Sequence, residues 1–327
     1  MEEEIYADEV TTTNTGSKVI SIREIYQPVS KQSPFHLFHN NVCDTCKGVG
    51  TNSNKGTSPL VHCQGCSTSI HKVCLGYRAQ REHMVTKIGH ENFVLQCRRC
   101  IGVATKKDSL APRLDVCPAC KKPGAACAAF SPKRTAKQEE TLRNQNEGDD
   151  PITEVSMELI NNEANVLFRC VGCQRGYHFH HLPVLKSSSD QDMPIEQLRS
   201  KRLKQYGRSW QCKDCSDAPA KVQTLVAWRP LSREKAEGRT VEELDEDEKE
   251  YLIKWEDRSY FQCSWMPGSW VWGVTPAVMR KAFFRRGEGV NSRPKWTTEE
   301  AIPEEYLAWK SFSTSVIAMT SALKACL

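Results

Sequence analysis

The sequence lacks three features that define large classes of proteins. It has no run of about 18 apolar residues, the length of a membrane-spanning helix, and its apolar tail at 316–327 is interrupted by Lys324. Its first residues, Met1 to Glu4, are acidic, whereas a secretory signal begins with a basic stretch and an apolar run. It also has no G-x-x-x-x-G-K-[ST] loop for binding a nucleoside triphosphate. We therefore expect no membrane contact, no secretion and no enzyme activity.

A strong excess of charge is missing as well, since 45 Lys and Arg against 40 Asp and Glu leave a net charge of +5. The charges are unevenly placed. Five acids fall in residues 1–10 and seven in 242–250, while basic residues cluster at 199–204 and 280–286. This balance permits contact with nucleic acid without requiring it. A chain of 327 residues has room for two or three small modules.

Cysteine, by contrast, is abundant. Six pairs have C-x2-C spacing, where random placement of 16 cysteines would give roughly one such pair. The pairs are Cys43/Cys46, Cys63/Cys66, Cys97/Cys100, Cys117/Cys120, Cys170/Cys173 and Cys212/Cys215. A disulfide framework is the alternative explanation, but such frameworks belong to secreted proteins and do not need the histidines that are interspersed here. The pattern favours structural zinc.

Residues 40–103 contain the first set of pairs. After Cys46, sixteen residues precede Cys63-x2-Cys66, four precede His71-x2-Cys74 and twenty-two precede Cys97-x2-Cys100. This order of four cysteines, one histidine and three cysteines closely resembles the PHD finger. The resemblance implies two interleaved zinc sites, one of Cys43, Cys46, His71 and Cys74 and the other of Cys63, Cys66, Cys97 and Cys100. A module of about sixty residues buries too little apolar surface to fold unaided, so zinc supplies folding free energy. The expected small core consists of Ile70, Val73, Leu75 and Leu95.

Residues 114–217 resemble a second, less regular PHD finger with a long insertion at 121–169. The resemblance implies one zinc site of Cys117, Cys120, His178 and His181 and another of Cys170, Cys173, Cys212 and Cys215, which makes four zinc ions in all. His181 stands where the family has a cysteine; its spacing favours it over the alternative, His180. We expect an exposed, largely disordered insertion, apart from a short helix or strand at 155–160, with Cys127 as an ordinary free thiol.

RING fingers share the interleaved arrangement but usually place the histidine as the fourth ligand. In both modules here the fourth ligand is cysteine and the fifth is histidine. The order of ligands therefore favours PHD fingers over a RING-like ubiquitin ligase.

Residues 220–290 form a third module that is rich in aromatic residues. Strands are predicted at 222–228 and 251–255, and a third begins near Cys263. A helix is predicted from an N-cap at Thr275 through Phe283 to Gly287. This order of elements resembles a chromodomain, and together with the preceding fingers it resembles the N-terminal region of CHD-type chromatin remodellers of the Mi-two branch. The expected fold class is therefore small zinc-stabilised α+β modules, two cross-braced PHD fingers and a chromodomain.

The resemblance also places candidate ligand-binding residues. Methyl-lysine readers enclose the cation in three aromatic rings, but the corresponding positions here are Ala220, Trp255 and Arg258, and only one is aromatic. Contact with DNA phosphates is the more natural role for the basic residues of this module. These residues are Arg258, Arg280, Lys281, Arg285 and Arg286. In the second finger, Asp115, Glu158 and Glu163 are candidates for receiving a basic histone tail.

The resemblance implies a nuclear protein that binds histone tails, nucleosomes and DNA within a remodelling complex. A scaffold that holds other subunits without touching histones is the alternative. The segment 1–39 is expected to be an acidic, mostly disordered N-terminus. Residues 291–327 only begin to resemble the approach to a second chromodomain, so we expect a truncated remodeller whose tail is non-native sequence.

Overall fold

The structure is a computed structural model that describes residues 26–75, 82–183, 193–201, 203, 206, 210–232 and 243–288. The acidic residues 1–10, the tail 291–327 and the side chain of Arg286 lie outside the described residues, as does most of the basic cluster at 199–204. None of the described helices is both long and apolar enough to cross a membrane.

The first finger is assembled from short strands around its cysteine pairs. Its elements are α1 (Pro34–Leu37), β1 (Asn52–Ser53), β2 (Gly56–Thr57), β3 (Leu60–His62), β4 (Ser69–His71), β5 (Met84–Lys87), β6 (Phe93–Gln96) and α2 (Val103–Lys107). Three antiparallel pairs form: β1 with β2, β3 with β4 and β5 with β6. The predicted core is confirmed, because Ile70, Leu75 and Leu95 are buried together and Val73 packs against them.

The N-terminal residues 26–39 are ordered, which corrects the expectation of disorder for this part of the segment 1–39. Ser33 caps α1 through its side chain, and Pro34 fits the first helical position. Phe35 and Phe38 are buried, and the ring of Phe38 lies 5.0 Å from that of Phe168 in the second finger. These two apolar side chains bury the segment between the two fingers. The acidic residues at the start of the chain had suggested a solvated segment instead.

The insertion 121–169 is also ordered and wraps around the first finger, contrary to the expectation of an exposed loop. It contains α3 (Ala136–Gln145), which Thr135 and Gln138 close with a capping box. Short 3-10 turns lie at Ala125–Cys127, Met157–Leu159 and Glu163–Asn165. The buried amide of Gln96 donates to the carbonyls of Ala126 and Ala128 at 2.9 and 2.7 Å. Hydrogen bonds from a finger side chain to the backbone of the insertion, together with the buried side chains of Ile160, Val166 and Leu167, hold the insertion in place.

The second finger joins directly to the first. Its elements are β7 (Phe168–Arg169), β8 (Gly176–Tyr177), α4 (Ile195–Lys201) and α5 (Lys213–Asp217). The backbone N–H of Ser67 donates to the carbonyl of Leu167 at 2.9 Å, and that of Leu167 donates to the carbonyl of Gly65 at 3.0 Å. A knuckle of one finger thus pairs with the strand entering the other, and the two fingers form one body.

The C-terminal module is a three-stranded antiparallel sheet followed by two helices. Its elements are β9 (Val222–Pro230), β10 (Lys249–Trp255), β11 (Ser264–Pro267), α6 (Gly268–Val274) and α7 (Ala277–Glu288). The central strand is β10, with β9 and β11 at its two edges. The predicted strands and C-terminal helix are confirmed, whereas α6 was not predicted because Gly268 and Gly273 are poor helix formers.

The described part of the acidic stretch 242–250, which leads into β10, is partly buried rather than fully solvated. Glu246 and Lys249 are buried, with 2% and 0% of their surface exposed, and the Tyr251 hydroxyl donates to the Glu246 carboxylate at 2.9 Å. Burial raises the pKa of Glu246 and lowers that of Lys249. The backbone N–H of Glu246 donates to the carbonyl of Leu110 at 2.9 Å, so this loop docks on the linker between the fingers.

A single hydrophobic cluster connects the second finger with the C-terminal module. It includes Phe168, Trp210, Tyr251 and Trp270. At Gly273 in α6, an added Cβ would lie 2.1 Å from the carbonyl oxygen of Cys173, so the helix backbone rests directly on a knuckle of the finger. Glycine is required there because any side chain would overlap that oxygen.

Candidate metal centre

The first cluster lies at the junction of β4 with the first knuckle. It comprises Cys43, Cys46, His71 and Cys74. His71 Nδ1 lies 3.2 Å from Cys46 Sγ and 3.9 Å from Cys74 Sγ. The other ring nitrogen, Nε2, lies 2.9 Å from the carbonyl oxygen of Gly50. A proton on Nε2 donates to that carbonyl and leaves the Nδ1 lone pair facing the sulfurs, which is the usual orientation of a metal-binding histidine.

The second cluster is fully buried and consists of Cys63, Cys66, Cys97 and Cys100. Its sulfurs are 3.4 Å apart for Cys66 and Cys97 and 3.7 Å apart for Cys63 and Cys100. Backbone N–H groups also point at sulfur, as that of Cys97 does at Cys63 Sγ over 3.2 Å. Such donors stabilise thiolates, the form in which cysteine binds metal.

The third and fourth clusters belong to the second finger. They comprise Cys117, Cys120, His178 and His181, and Cys170, Cys173, Cys212 and Cys215. In the third, each histidine presents Nδ1 to a cysteine sulfur at 3.4 Å. His180 is exposed, stacks on His178 with ring centroids 5.5 Å apart, and lies outside the cluster. The structure thus brings His181, and not His180, to the sulfurs.

These dimensions fit tetrahedral zinc. In each cluster the four candidate ligand atoms lie within 4.8 Å of one another. With Zn–S bonds of about 2.3 Å, tetrahedral sulfurs stand about 3.8 Å apart, close to the separations found here. A disulfide needs sulfurs only about 2.05 Å apart, and every cysteine among the described residues is a free thiol. The four clusters are therefore suited to binding zinc, in the interleaved order of the cysteine pairs.

Two buried arginines, which the sequence did not single out, donate to the sulfurs of the all-cysteine clusters. Arg169 Nη2 lies 3.3 Å from Cys100 Sγ, although Arg169 belongs to the second finger and Cys100 to the first. Arg175 donates from Nε to Cys173 Sγ and from Nη2 to Cys212 Sγ, both at 3.2 Å. Burial opposes the charge of each guanidinium, but the nearby sulfurs raise the pKa of both arginines.

The charge of the sites explains this placement. Zinc with four thiolates carries a net charge of −2, whereas a site with two thiolates and two histidines is neutral. A guanidinium therefore stabilises an all-cysteine cluster more than the third cluster. Both arginines lie next to a knuckle in the sequence, but so do Arg98 and Arg99. Proximity to a knuckle in the sequence therefore does not distinguish the arginines that contact sulfur from those that do not.

Cys127 differs from its predicted environment. It is buried against Leu167 and the second cluster rather than exposed, and its thiol lies 3.5 Å from the carbonyl oxygen of Gly65. It does not belong to any of the four groups of ligands. The 3-10 turn at Ala125–Cys127 carries it there as the insertion folds back on the finger.

The C-terminal module provides a further contact to a cluster. The indole Nε1 of Trp270 donates to Cys215 Sγ at 3.2 Å. Since Cys215 is one of the four ligands of the fourth cluster, docking of α6 and formation of this cluster support each other.

The candidate ligand-binding residues are not all available. Trp255 is completely buried, packs against Trp270 and donates to Ser264 Oγ at 3.0 Å, so its assignment to ligand binding is wrong. Arg280 is buried too; it donates to the carbonyl of Thr275 at 2.6 Å and lies over the Trp272 ring, so it cannot hold a phosphate.

The other candidates lie at or near the surface. Arg258, Lys281 and Arg285 are exposed. Asp115 is half-buried and its carboxylate already accepts from Arg113 at 2.9 Å, while Glu163 is half-buried in the insertion. The structure therefore does not gather the acids into a clamp for a basic tail.

Known proteins resemble the finger region. A family model described as a PHD/FYVE-zinc-finger like domain matches residues 43–215, just over half of the chain, from the first candidate ligand to the last. The chain belongs to this family. Its single domain spans both fingers, in agreement with the backbone pairing that joins them.

A relative of this zinc-finger protein is the chromatin remodeling factor mit1 of Schizosaccharomyces pombe. It is 24% identical over 155 residues, which cover 45% of this chain and 10% of the yeast protein. The chain thus matches about a tenth of the length of that relative.

Proposed function

We propose that this zinc-finger protein is a non-enzymatic, nuclear chromatin-binding module that holds four zinc ions and contacts nucleosomes. The observation that carries the proposal is the fusion of two PHD-like fingers with a sheet-and-helix module into one body. A relative that is a chromatin remodeling factor supports it. Within a larger remodeller, such a rigid body would position other domains on the nucleosome.

The C-terminal module supports a chromodomain assignment. Three antiparallel strands with a closing helix form the expected architecture. Reading of methyl-lysine is not supported, because Trp255 is buried and Ala220 and Arg258 supply no aromatic ring. The module is therefore proposed to bind the nucleosome by charge rather than by a methyl-lysine cage.

The proposed contact surface is the exposed basic face of α7. Lys281 and Arg285 are one helical turn apart and both exposed, so they point to the same side of the helix. Two adjacent cations can each neutralise one DNA phosphate and release its counterion.

The test is a titration of nucleosomes and of free DNA with the zinc-loaded chain. The double variant Lys281→Glu/Arg285→Glu should bind nucleosomes roughly tenfold more weakly, with the slope of log affinity against log salt reduced by about two. The matched control is Lys55→Glu/Lys137→Glu, which inverts two exposed charges of the first finger and the insertion. An equal loss in both variants would indicate nonspecific attraction, and binding to neither substrate by the wild type would leave a scaffold role.

A further inference from the structure

Residues 128–134 of the insertion form a strap that runs along the β5–β6 hairpin without regular secondary structure. Within the described part of the chain, no backbone–backbone hydrogen bond involves the strap. It is held by the Gln96 side chain, which donates to the carbonyl of Ala128 at 2.7 Å and accepts from the N–H of Phe130 at 2.9 Å. The strap can therefore be lifted from the finger without breaking a helix or a sheet.

The strap contains the sequence Ser131-Pro132-Lys133-Arg134. Proline disfavours the helical conformation at the residue before it, so the chain at Ser131 favours the extended form in which kinases bind their substrates. Pro132 and Lys133 are exposed, and Arg134 is half-buried. Two cations directly after the proline complement an acidic kinase surface, and charge patterns of this kind decide which substrates a kinase accepts.

Three further Ser-Pro or Thr-Pro pairs occur in the chain, but each of their hydroxyl groups has a structural role. Ser33 caps α1 through its side chain. Ser58 is 2% exposed and accepts from a backbone N–H at 3.2 Å, and Thr275 is 6% exposed and donates to a backbone carbonyl at 2.7 Å. None of the three has lysine or arginine in the two positions after its proline. Sequence and structure together therefore single out Ser131.

The Ser131 hydroxyl is held weakly on β5. It donates to the sulfur of Met84 at 3.3 Å and lies 3.3 Å from Oγ1 of Thr86. A thioether is a weak acceptor, and 3.3 Å is long for a bond between two hydroxyl groups. A kinase can therefore withdraw this hydroxyl from β5 at little cost in free energy.

A phosphate on Ser131 could not return to the same place. Met84 is buried with Ile101 and Val103 in an apolar cluster, and Thr86 is 2% exposed. Phosphoserine carries a charge of about −1.5 to −2 at neutral pH, and placing it against buried apolar side chains costs far more than two weak contacts supply. The phosphate would therefore stay in water and keep the strap off β5.

The far end of the insertion has separate anchors on β5. Lys87 forms an ion pair with Asp149 at 3.4 Å, and its carbonyl accepts from the N–H of Thr153 at 2.8 Å. Neither bond involves the strap. Phosphorylation would thus detach residues 128–134 without releasing the whole insertion.

We propose that Ser131 is a phosphorylation site for a proline-directed serine/threonine kinase. Its Oγ attacks the γ-phosphorus of ATP, the bond from that phosphorus to the β–γ bridging oxygen breaks, ADP leaves, and the kinase takes up the hydroxyl proton. The modified strap leaves β5 and uncovers Met84 and Thr86. This switch on the first finger is separate from the proposed nucleosome contact on α7.

The first experiment treats the full zinc-loaded chain with ATP and a purified cyclin-dependent kinase, followed by phosphopeptide mapping with mass spectrometry. One phosphate should appear, on Ser131, and Ser131→Ala should lower incorporation at least tenfold. Lys133→Gln/Arg134→Gln should lower kcat/KM by tenfold or more. The matched control, Lys55→Gln/Lys106→Gln, changes two exposed lysines outside the strap and should leave kcat/KM unchanged. No phosphate on Ser131, or equal labelling of another Ser-Pro or Thr-Pro pair, would overturn the proposal.

Hydrogen exchange then tests the release of the strap. In the chain phosphorylated at Ser131, the Phe130 amide, which bonds to Gln96, should exchange at least tenfold faster than in the unmodified chain, with the zinc content unchanged. The matched control carries genetically encoded phosphoserine at Ser156, an exposed residue of the same insertion whose side chain makes no capping hydrogen bond. Exchange at Phe130 should there equal that of the unmodified chain. Unchanged exchange after phosphorylation of Ser131, or equal acceleration by the control, would overturn release of the strap.

Discussion

Arg175 illustrates how much of the metal centre depends on single side chains beyond the ligands. It is buried, donates to two sulfurs of the fourth cluster, and forms an ion pair with Asp214. Removing one partner of such a buried, charge-assisted contact leaves the other charges without compensation. The arginine therefore both orients the thiolates and stabilises their charge.

Replacement of Arg175 by Gln should weaken zinc binding at the fourth cluster by ten- to a hundred-fold, as loss of a supporting residue does at other metal sites. Competition with a chromogenic chelator, followed with native mass spectrometry, measures the affinity and the number of ions. The control is Arg143→Gln, which removes an ion pair with Asp150 in the insertion, away from all clusters. Four ions held with wild-type affinity by Arg175→Gln would contradict the supporting role.

His83 provides a pH-dependent contribution to stability. Burial, aided by Arg98, lowers its pKa to about 4. Between pH 6.5 and 4 the unfolded chain binds a proton that the folded chain does not, so this contribution to stability falls as the pH falls. From pH 7 to 5.5 the loss is about 1 kcal/mol.

Urea unfolding of the zinc-loaded chain at several pH values measures this effect. Acid also weakens metal ligands, so the informative quantity is the difference between wild type and His83→Gln. That difference should shrink by about 1 kcal/mol from pH 7 to 5.5. His90→Gln, which replaces an exposed histidine of the same finger, is the matched control variant. Parallel curves for wild type and His83→Gln would show that His83 titrates normally.

At the scale of elements, predictions from the sequence succeeded where a local pattern decides the structure. Strands β9 and β10 carry alternating or continuous apolar residues, and α7 follows an N-terminal proline signal. The predictions of disorder for the insertion and for residues 26–39 were wrong, because these segments are held by hydrogen bonds and buried side chains from distant parts of the chain. Such contacts leave little trace in composition.

Helix α6 is another element whose position depends on tertiary contacts that the local sequence does not reveal, and this position can be tested. Its close approach to Cys173 at Gly273 requires glycine, and its Trp270 donates to Cys215. Gly273→Ala should therefore separate the helix from the finger and destabilise the protein by about 1–3 kcal/mol, the usual cost of overpacking, despite the better helix propensity of alanine.

Thermal unfolding followed by near-ultraviolet circular dichroism measures the loss. The control is Val278→Ala in α7, because Val278 is 71% exposed and its truncation should be nearly neutral. An unchanged or raised melting temperature for Gly273→Ala would show that α6 does not rest on the knuckle.

At the scale of the whole molecule, the three modules behave as one unit. The knuckle of the first finger pairs with the strand entering the second, Arg169 reaches across to Cys100, and Trp270 ties the C-terminal sheet to the fourth cluster. The loop at Glu246 adds a contact with the linker between the fingers. Zinc binding is consequently coupled to the folding of regions that hold no ligands.

Removal of zinc should therefore unfold the C-terminal sheet together with the fingers. On titration with a strong chelator, the tryptophan signals in near-ultraviolet circular dichroism should disappear in step with zinc release, and added zinc should restore them. The variant Cys127→Ser should keep four ions, since Cys127 lies outside the clusters. A C-terminal sheet that retains its signal without zinc would show that it folds independently.

The sequence by itself determined the grouping of the ligands, because each C-x2-C pair makes a knuckle whatever surrounds it and the order of pairs is typical of an interleaved finger. It also determined the strands and the last helix of the third module. Tertiary structure alone decided the rest: which arginines face the sulfurs, that Trp255 and Arg280 are buried, and that the insertion encloses the first finger. These features depend on residues far apart in the chain meeting in a low-dielectric interior, where burial changes the role of a charge or a ring, and no local pattern encodes that meeting.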